Sequence, residues 1–379
     1  MEIQFVDLRA QYARLRDEID TRIHAVLDHG RYILGPEVAE LEQKLAAFAG
    51  CRHGIGVSSG TDALLVALLA EGIGGGDAVF VPAFTFPATP AAILLAGATP
   101  VFVDVSVDSF HIDAAALQRS IRIVADRGAL RPRAVIAVDL FGLTADYDAL
   151  TPIAAEHELF LLADAAQSFG AAWNGRRVGS LAPVTALSFY PSKPLGCYGD
   201  GGAILTDDDA RAALIRSLRE HGRGVERYAI ERIGINGRLD TLQAAVLLAK
   251  LGVFEEELAQ RQRLAGIYDE HLKDIVSIPP RPPAARPAWA QYSILSDHRD
   301  AIAAALRKEG LPCAIHYPAP LHLQPAFARF GGGAGTLPAA EALSRRILSL
   351  PMHAYMAEDT ALRICDAVRR GARSTSQRR

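Results

Sequence analysis

The chain has 379 residues, half of them apolar and 22% charged, with 40 basic and 43 acidic residues and a net charge of -3. This length and apolar share allow one large domain or two ordinary ones, and the mixed signs argue against a nucleic-acid footprint or a basic membrane-seeking face, so a small ligand is expected. Cys51, Cys197, Cys313 and Cys365 lie far apart, fit neither metal-ligand spacing nor a dense disulfide framework, and point to a reducing cytoplasm.

In chain order, charges at Glu2, Asp7 and Arg9 interrupt any apolar run over Met1–Arg16, so no secretory signal is expected. From residue 54 to about 205 short apolar strands alternate with helical segments: Gly54–Val57, helix Thr61–Glu71, Ala78–Val81, an Ala/Leu helix, Pro100–Val103, Ala134–Val138, Leu159–Ala163, Ala186–Tyr190 and Gly202–Leu205. Strands apolar on both faces and separated by helices predict a largely parallel sheet in an α/β domain, with ligands gathered at the carboxyl ends of the strands. The charge-free run 78–103 is long enough to suggest a membrane span, but Pro82, Pro87, Pro90 and Pro100 break it into strand, loop, helix and strand. A long helical stretch, roughly Arg238–Leu272, leads out of this domain. The proline-rich segment Pro279–Pro287 then reads as a loop into a smaller α/β domain containing helix Arg299–Glu309 and the turn His316–Pro320, and the polar, basic tail Gly371–Arg379 reads as disordered.

Only five lysines occur among the 40 basic residues: Lys44, Lys193, Lys250, Lys273 and Lys308. Where arginine serves nearly everywhere, a retained lysine can mark an amine that must lose its proton and attack a carbonyl. Lys44, Lys250, Lys273 and Lys308 lie in or beside helical patterns with polar neighbours, where a solvated helix face is expected. Lys193 is the one charged residue between Arg177 and Asp200, it follows an apolar strand, and Pro194 favours an extended chain there. Desolvation lowers the pKa of such a lone ammonium, as a Schiff-base lysine requires; the plain alternative is a loop lysine reaching solvent.

Asp164 ends the strand Leu159–Ala163 at the ligand-bearing edge. A buried acid there seeks a cation, and a protonated pyridine nitrogen would serve, although strand-end aspartates also cap helices. The turn Val57–Leu64 passes through Gly60 into a helix, so the free amides and dipole at Thr61–Ala63 offer a seat for a phosphate, with helix capping as the alternative for Thr61. Neither G-x-x-x-x-G-K-[ST] nor a G-x-G-x-x-G fingerprint occurs in this turn, which removes support for a nucleotide hydrolase or a nicotinamide dehydrogenase.

Taken together, Ser-Gly-Thr-Asp-Ala-Leu (59–64), Pro-Ala-Phe-Thr-Phe-Pro-Ala-Thr (82–89), Asp-Ala-Ala-Gln-Ser-Phe-Gly-Ala (164–171), Ser-Phe-Tyr-Pro-Ser-Lys-Pro-Leu-Gly (188–196), Gly-Asp-Gly-Gly-Ala (199–203), Asn-Gly-Arg-Leu-Asp-Thr-Leu-Gln-Ala-Ala (236–245) and His-Tyr-Pro-Ala-Pro-Leu (316–321) resemble the DegT/DnrJ-type sugar aminotransferases over nearly the whole chain. The resemblance implies the fold type I of pyridoxal-phosphate-dependent transferases: a large cofactor-binding domain with an N-terminal helical arm over 1–252, a small C-terminal α/β domain over 253–370, and a homodimer with shared active sites. It implies that Lys193 carries the cofactor, Asp164 pairs with its ring nitrogen, Gln167 contacts the ring hydroxyl and Phe86 stacks on the ring. Gly60, Thr61 and Ser188 resemble phosphate ligands, with Asn236 from the neighbouring subunit, and Arg238, His316 and Tyr317 resemble the substrate-facing group; Phe86 could equally be core, and His316–Tyr317 an ordinary turn.

The tract 191–202 looks like the branch that aminates the 3-keto group of UDP-N-acetyl-hexuronic acids for O-antigen assembly. Asn236-Gly237-Arg238 departs from the Asn-Ser-Arg usual there, and Gly199-Asp200-Gly201-Gly202 from the Gly-Glu-Gly-Gly of the wider family. The implied reaction runs in two halves, with L-glutamate leaving its amine as pyridoxamine phosphate and the keto sugar taking it up in a cleft with arginine for anionic groups. The alternatives are a 4-keto-6-deoxy sugar as acceptor, a dehydratase branch in which histidine replaces the lysine, and a cofactor-binding regulator without turnover; Lys193 speaks against the last two.

Overall fold

The structure is a computed structural model that describes residues 3–226 and 228–373. Two helices, α1 (Leu8–His29) and α2 (Pro36–Ala49), precede the first strand. The sheet then builds as β1 (His53–Val57), α3 (Gly60–Ala70), β2 (Asp77–Pro82), α4 (Ala88–Leu95), β3 (Thr99–Val103), α5 (Ala114–Arg127), β4 (Arg131–Val138), α6 (Tyr147–Glu156) and β5 (Phe160–Asp164). The short β6 (Ala172–Trp173) and β7 (Arg176–Arg177) follow, then β8 (Val184–Ser188), β9 (Gly202–Thr206) and α7 (Asp209–Leu218).

The seven long strands lie in the order β1-β9-β8-β5-β4-β2-β3, parallel except for β9, which runs antiparallel to both neighbours. Residues Phe80, Val135, Ala163 and Leu187 fill the core on one face, and Val79, Val81, Ile136 and Leu162 that on the other. Burial on both faces explains the near-continuous apolar strands and why the sheet is legible from sequence. Helix starts follow local chemistry: Ser59 caps α3 by accepting from Asp62 N at 3.0 Å, and Asp113 caps α5 through Ala116 N.

Five expectations need correction. The helical stretch 238–272 is two helices, α8 (Thr241–Leu251) and α9 (Phe254–Leu272), parted at Gly252–Val253. The break lets α8 pack along α1 and α2 while α9 passes onward: Phe254 and Leu258 join the sheet's core, and Leu264, Tyr268 and Leu272 join a second one. Within the segment 279–287, Ala285–Arg286 forms β10, pairing with β6, because these two residues keep backbone N–H groups that the prolines lack. The strand Ala186–Tyr190 ends at Ser188, where the chain turns toward Pro191.

Lys250 is not on a solvated face. Residues Ala244–Lys250 of α8 are all buried and Lys250 is 0% exposed, because the helix is covered on nearly every side.

The second core is covered by β11 (Tyr292–Leu295), α10 (Arg299–Lys308), β12 (Ile347–Leu350) and α12 (Glu358–Arg373), with β11 and β12 antiparallel, while Ala340 and Leu343 of α11 (Pro338–Arg346) join the sheet's core. Gly371–Arg373 close α12 and are therefore helical, whereas the rest of the expected tail, 374–379, lies outside the described residues. Among the described residues no helix is long and apolar enough to cross a membrane.

Candidate active site

The carboxyl ends of β5 and β8, the β1–α3 turn and the segment 316–317 surround one cavity of about 440 Å³. Lys193, Asp164, Gln167, Gly60, Thr61 and Phe86 all line it, as do Ser188, His316 and Tyr317. Asn236 and Arg238 do not: Asn236 is exposed, Gly237 O accepts from Ser58 N at 3.0 Å, and Arg238 pairs with Val57, so this segment flanks the end of β1 outside the cavity of its own chain. Among the described residues no arginine lines the cavity of the single chain.

Lys193 comes off a turn after β8, its N–H donating to Tyr190 O at 2.9 Å. Burial pulls its ammonium below the ordinary lysine range, opposed by the charge of Asp164. Asp164, 6% exposed, accepts from Thr89 Oγ1 at 2.8 Å and from Ala166 N at 3.3 Å. Burial pushes its carboxyl up, and the Thr89 hydroxyl, the Ala166 amide and Lys193 pull it back. A desolvated amine and a desolvated carboxyl thus share one cavity. Such a pair can hold a cationic ring nitrogen at one point while supplying a nucleophilic amine at another.

Gln167 accepts from Phe141 N at 2.7 Å and donates to Tyr317 OH at 3.3 Å, so its amide plane is fixed from two sides. His316 Nδ1 lies 2.9 Å from Ser349 Oγ, and burial, then the nearby Lys193 charge, lower its pKa, which favours the neutral ring. Phe86 is 55% exposed at the cavity rim, its ring centroid 6.3 Å from that of Tyr317.

The residues present fit a planar aldehyde cofactor bearing a phosphate. At the β1–α3 turn only glycine fits, since a Cβ on Gly60 would stand 2.6 Å from Ser188 Cβ, and the N-terminus of α3 and the residues Thr61 and Ser188 line the cavity there, where an anion is favoured. Thr85 and Thr89 were missed by sequence reasoning. They follow β2 at the same ligand-bearing edge, four residues apart in sequence, their hydroxyls 3.2 Å from each other, and that threonine pair was the available signal. Tyr190, Ser192 and Asp200, which lie in the motifs 188–196 and 199–203, also line it, as does Gln291, which nothing in its local sequence marked.

A parallel sheet with an amine, a strand-end acid and a helix N-terminus around one cavity defines a cofactor-dependent transferase class rather than a nucleotide hydrolase. Residues 13–369 match the DegT/DnrJ/EryC1/StrS aminotransferase family, and the chain belongs to that family. It is 45% identical to a UDP-2-acetamido-2-deoxy-3-oxo-D-glucuronate aminotransferase of Pseudomonas aeruginosa, over 97% of this chain and 99% of that protein. It is 41% identical to a dTDP-3-amino-3,4,6-trideoxy-alpha-D-glucose transaminase of Streptomyces venezuelae, over 99% and 97%. The crystal structure of a DegT DnrJ EryC1 StrS aminotransferase from Brucella abortus superposes with a TM-score of 0.95 at 50% identity, covering 97% of this chain and 98% of that one.

Proposed function

We propose that this protein is a pyridoxal-phosphate-dependent aminotransferase that transfers the amine of L-glutamate to a UDP-linked 2-acetamido-3-keto-hexuronate, supplying an amino sugar for a surface polysaccharide such as an O-antigen. The observation that carries the reading is Lys193 and Asp164 facing one cavity beside a bare helix N-terminus. When bound, the cofactor offers a carbonyl for the incoming amine and an electron sink for the carbanion.

The residues around it divide the work. Lys193 Nζ, held below its ordinary pKa by burial, would move a proton between two carbons within each half: off the donor's α-carbon in the first, and onto the acceptor carbon in the second. Asp164 holds the proton on the ring nitrogen, Gln167 meets the ring hydroxyl, and Phe86 covers the ring face. The amides at Gly60–Thr61 and the hydroxyls of Thr61 and Ser188 bind the phosphate. His316 and Tyr317 orient the sugar.

We read the active unit as a cytoplasmic homodimer, with residues 1–252 holding the cofactor and 253–370 forming the smaller domain. Support comes from Val225 (98% exposed) and Ile233 (89%), apolar side chains on the segment that leads to Asn236. With no arginine among the described residues that line the cavity of one chain, Arg238 beside Asn236 of a neighbouring subunit is the group that meets the substrate's anionic parts.

The test compares the UDP-linked 3-keto-hexuronate with a 4-keto-6-deoxy sugar nucleotide, each with glutamate. The proposal expects kcat/KM for the first to exceed the second by at least about tenfold. Equal or reversed values would reassign the acceptor, and no transfer to either would end the aminotransferase reading.

A further inference from the structure

Lys193 is not alone in being a lysine withdrawn from water. Lys250, in the last turn of α8, is fully buried; its Nζ donates to Gly196 O at 2.6 Å and stands 4.1 Å from the ring centroid of Tyr198. Its charge is balanced partly by Glu257, itself 2% exposed and bonded to Gln11 Nε2 at 2.9 Å. Burying an ammonium is costly, and an apolar side chain of similar volume often serves stability as well. In a chain with only five lysines, keeping one at this site calls for a role that a compact donor fills.

The carbonyl that Lys250 holds belongs to the loop that bears Lys193. Residues 189–201 close on themselves at the end of β8: Phe189 N donates to Gly201 O at 2.7 Å, Cys197 N to Phe189 O at 2.8 Å and Lys193 N to Tyr190 O at 2.9 Å. Gly196 presses against the start of the loop so tightly that a Cβ there would stand 2.5 Å from Pro191 O and 2.7 Å from Tyr190 O. Two turns earlier on α8, Gln243 Oε1 accepts from Tyr198 N at 2.9 Å. One helix, itself packed against α1 and α2, therefore grips the loop at two points, and a shift at Gly196 passes directly to the residues that set where Lys193 begins.

We propose that Lys250 is a positioning residue for Lys193: by holding the Gly196 carbonyl it fixes the turn from which Lys193 reaches the cofactor, a role that rests on the cofactor reading above. Met in place of Lys250 removes the donor and charge at similar volume. In the cofactor-free protein, hydrogen exchange of residues 189–201 should rise about tenfold or more in Lys250→Met. In the loaded enzyme kcat should fall by about tenfold or more while KM for the keto-sugar nucleotide changes less than about twofold, since the amine is misplaced and the sugar site is not.

Unchanged exchange and unchanged kcat, whatever happens to Tm, would overturn the proposal and leave Lys250 as scaffold only. Should the Met variant fail to fold, Lys250→Leu, which also removes the donor and the charge, carries the same comparison. Failure of the cofactor reading shows separately, as wild-type protein that acquires no absorbance band from lysine-bound pyridoxal phosphate. The exchange comparison still decides the role of Lys250 in that event.

Discussion

Replacing Thr89 by Val deletes one hydroxyl from the site and little else. Thr89 is fully buried and its Oγ1 donates to Asp164 Oδ2 at 2.8 Å, while Ala166 N, at 3.3 Å, is the other donor to that carboxylate. A hydrogen bond to a charged group is worth about 1.5–3 kcal/mol, or about one to two powers of ten when it supports a charge the reaction depends on. Burial already pushes the Asp164 carboxyl up and the Thr89 hydroxyl is the largest influence pulling it back, so Thr89→Val moves it further up. At a given pH less of the carboxylate is charged, and the acid limb of the kcat profile shifts to higher pH. The assay is the pH dependence of a single half-reaction with glutamate, alongside Thr89→Ser, which keeps the donor and should restore both rate and profile. A Thr89→Val rate within twofold of wild type with an unmoved acid limb would refute the reasoning.

Asp139, buried at the end of β4 and bonded to Ser168 Oγ at 2.7 Å and Tyr147 OH at 2.9 Å, has its carboxyl pushed up to about 7 by burial. A carboxyl whose folded pKa exceeds its unfolded one contributes stability that is present below about pH 4 and lost as the pH rises toward 7, so Asp139→Asn should flatten the decline across that window by on the order of a few kcal/mol in denaturant titrations; an identical slope would contradict this. Gly60→Ala places a Cβ 2.6 Å from that of Ser188, so pyridoxal phosphate affinity, followed by fluorescence, should drop by about tenfold or more with little change in the midpoint of unfolding, and unaltered affinity would remove the phosphate from this turn.

The sheet was readable because its strands are buried on both faces, and a run such as Phe160–Asp164 announces itself by composition. Lys193 was readable for a different reason: scarcity, since arginine fills most other basic positions and leaves the exceptions visible. The same census misjudged Lys250, because its partner Gly196 lies 54 residues away and spacing along the chain cannot show what a long-range contact will cover. A cue was present in the apolar residues on nearly every side of α8, which mark a helix with no solvated face. Thr89 escaped notice because a threonine at the start of a helix has many ordinary roles, and only the pairing of β5 with β4, itself paired with β2, sets Asp164 within its reach. Asn236 and Arg238 are a different case: their motif was plain, Asn236 was expected from a neighbouring subunit, and both lie outside the cavity of their own chain.

The central claim is that Lys193 is the residue to which the cofactor is joined. Reducing the pyridoxal phosphate-loaded protein with borohydride fixes the cofactor on whichever amine holds it, and peptide mass mapping then locates it. The account predicts a pyridoxyl group on the peptide containing Lys193, absent from Lys193→Ala; a label on Lys250 or another lysine, or none at all, would contradict it.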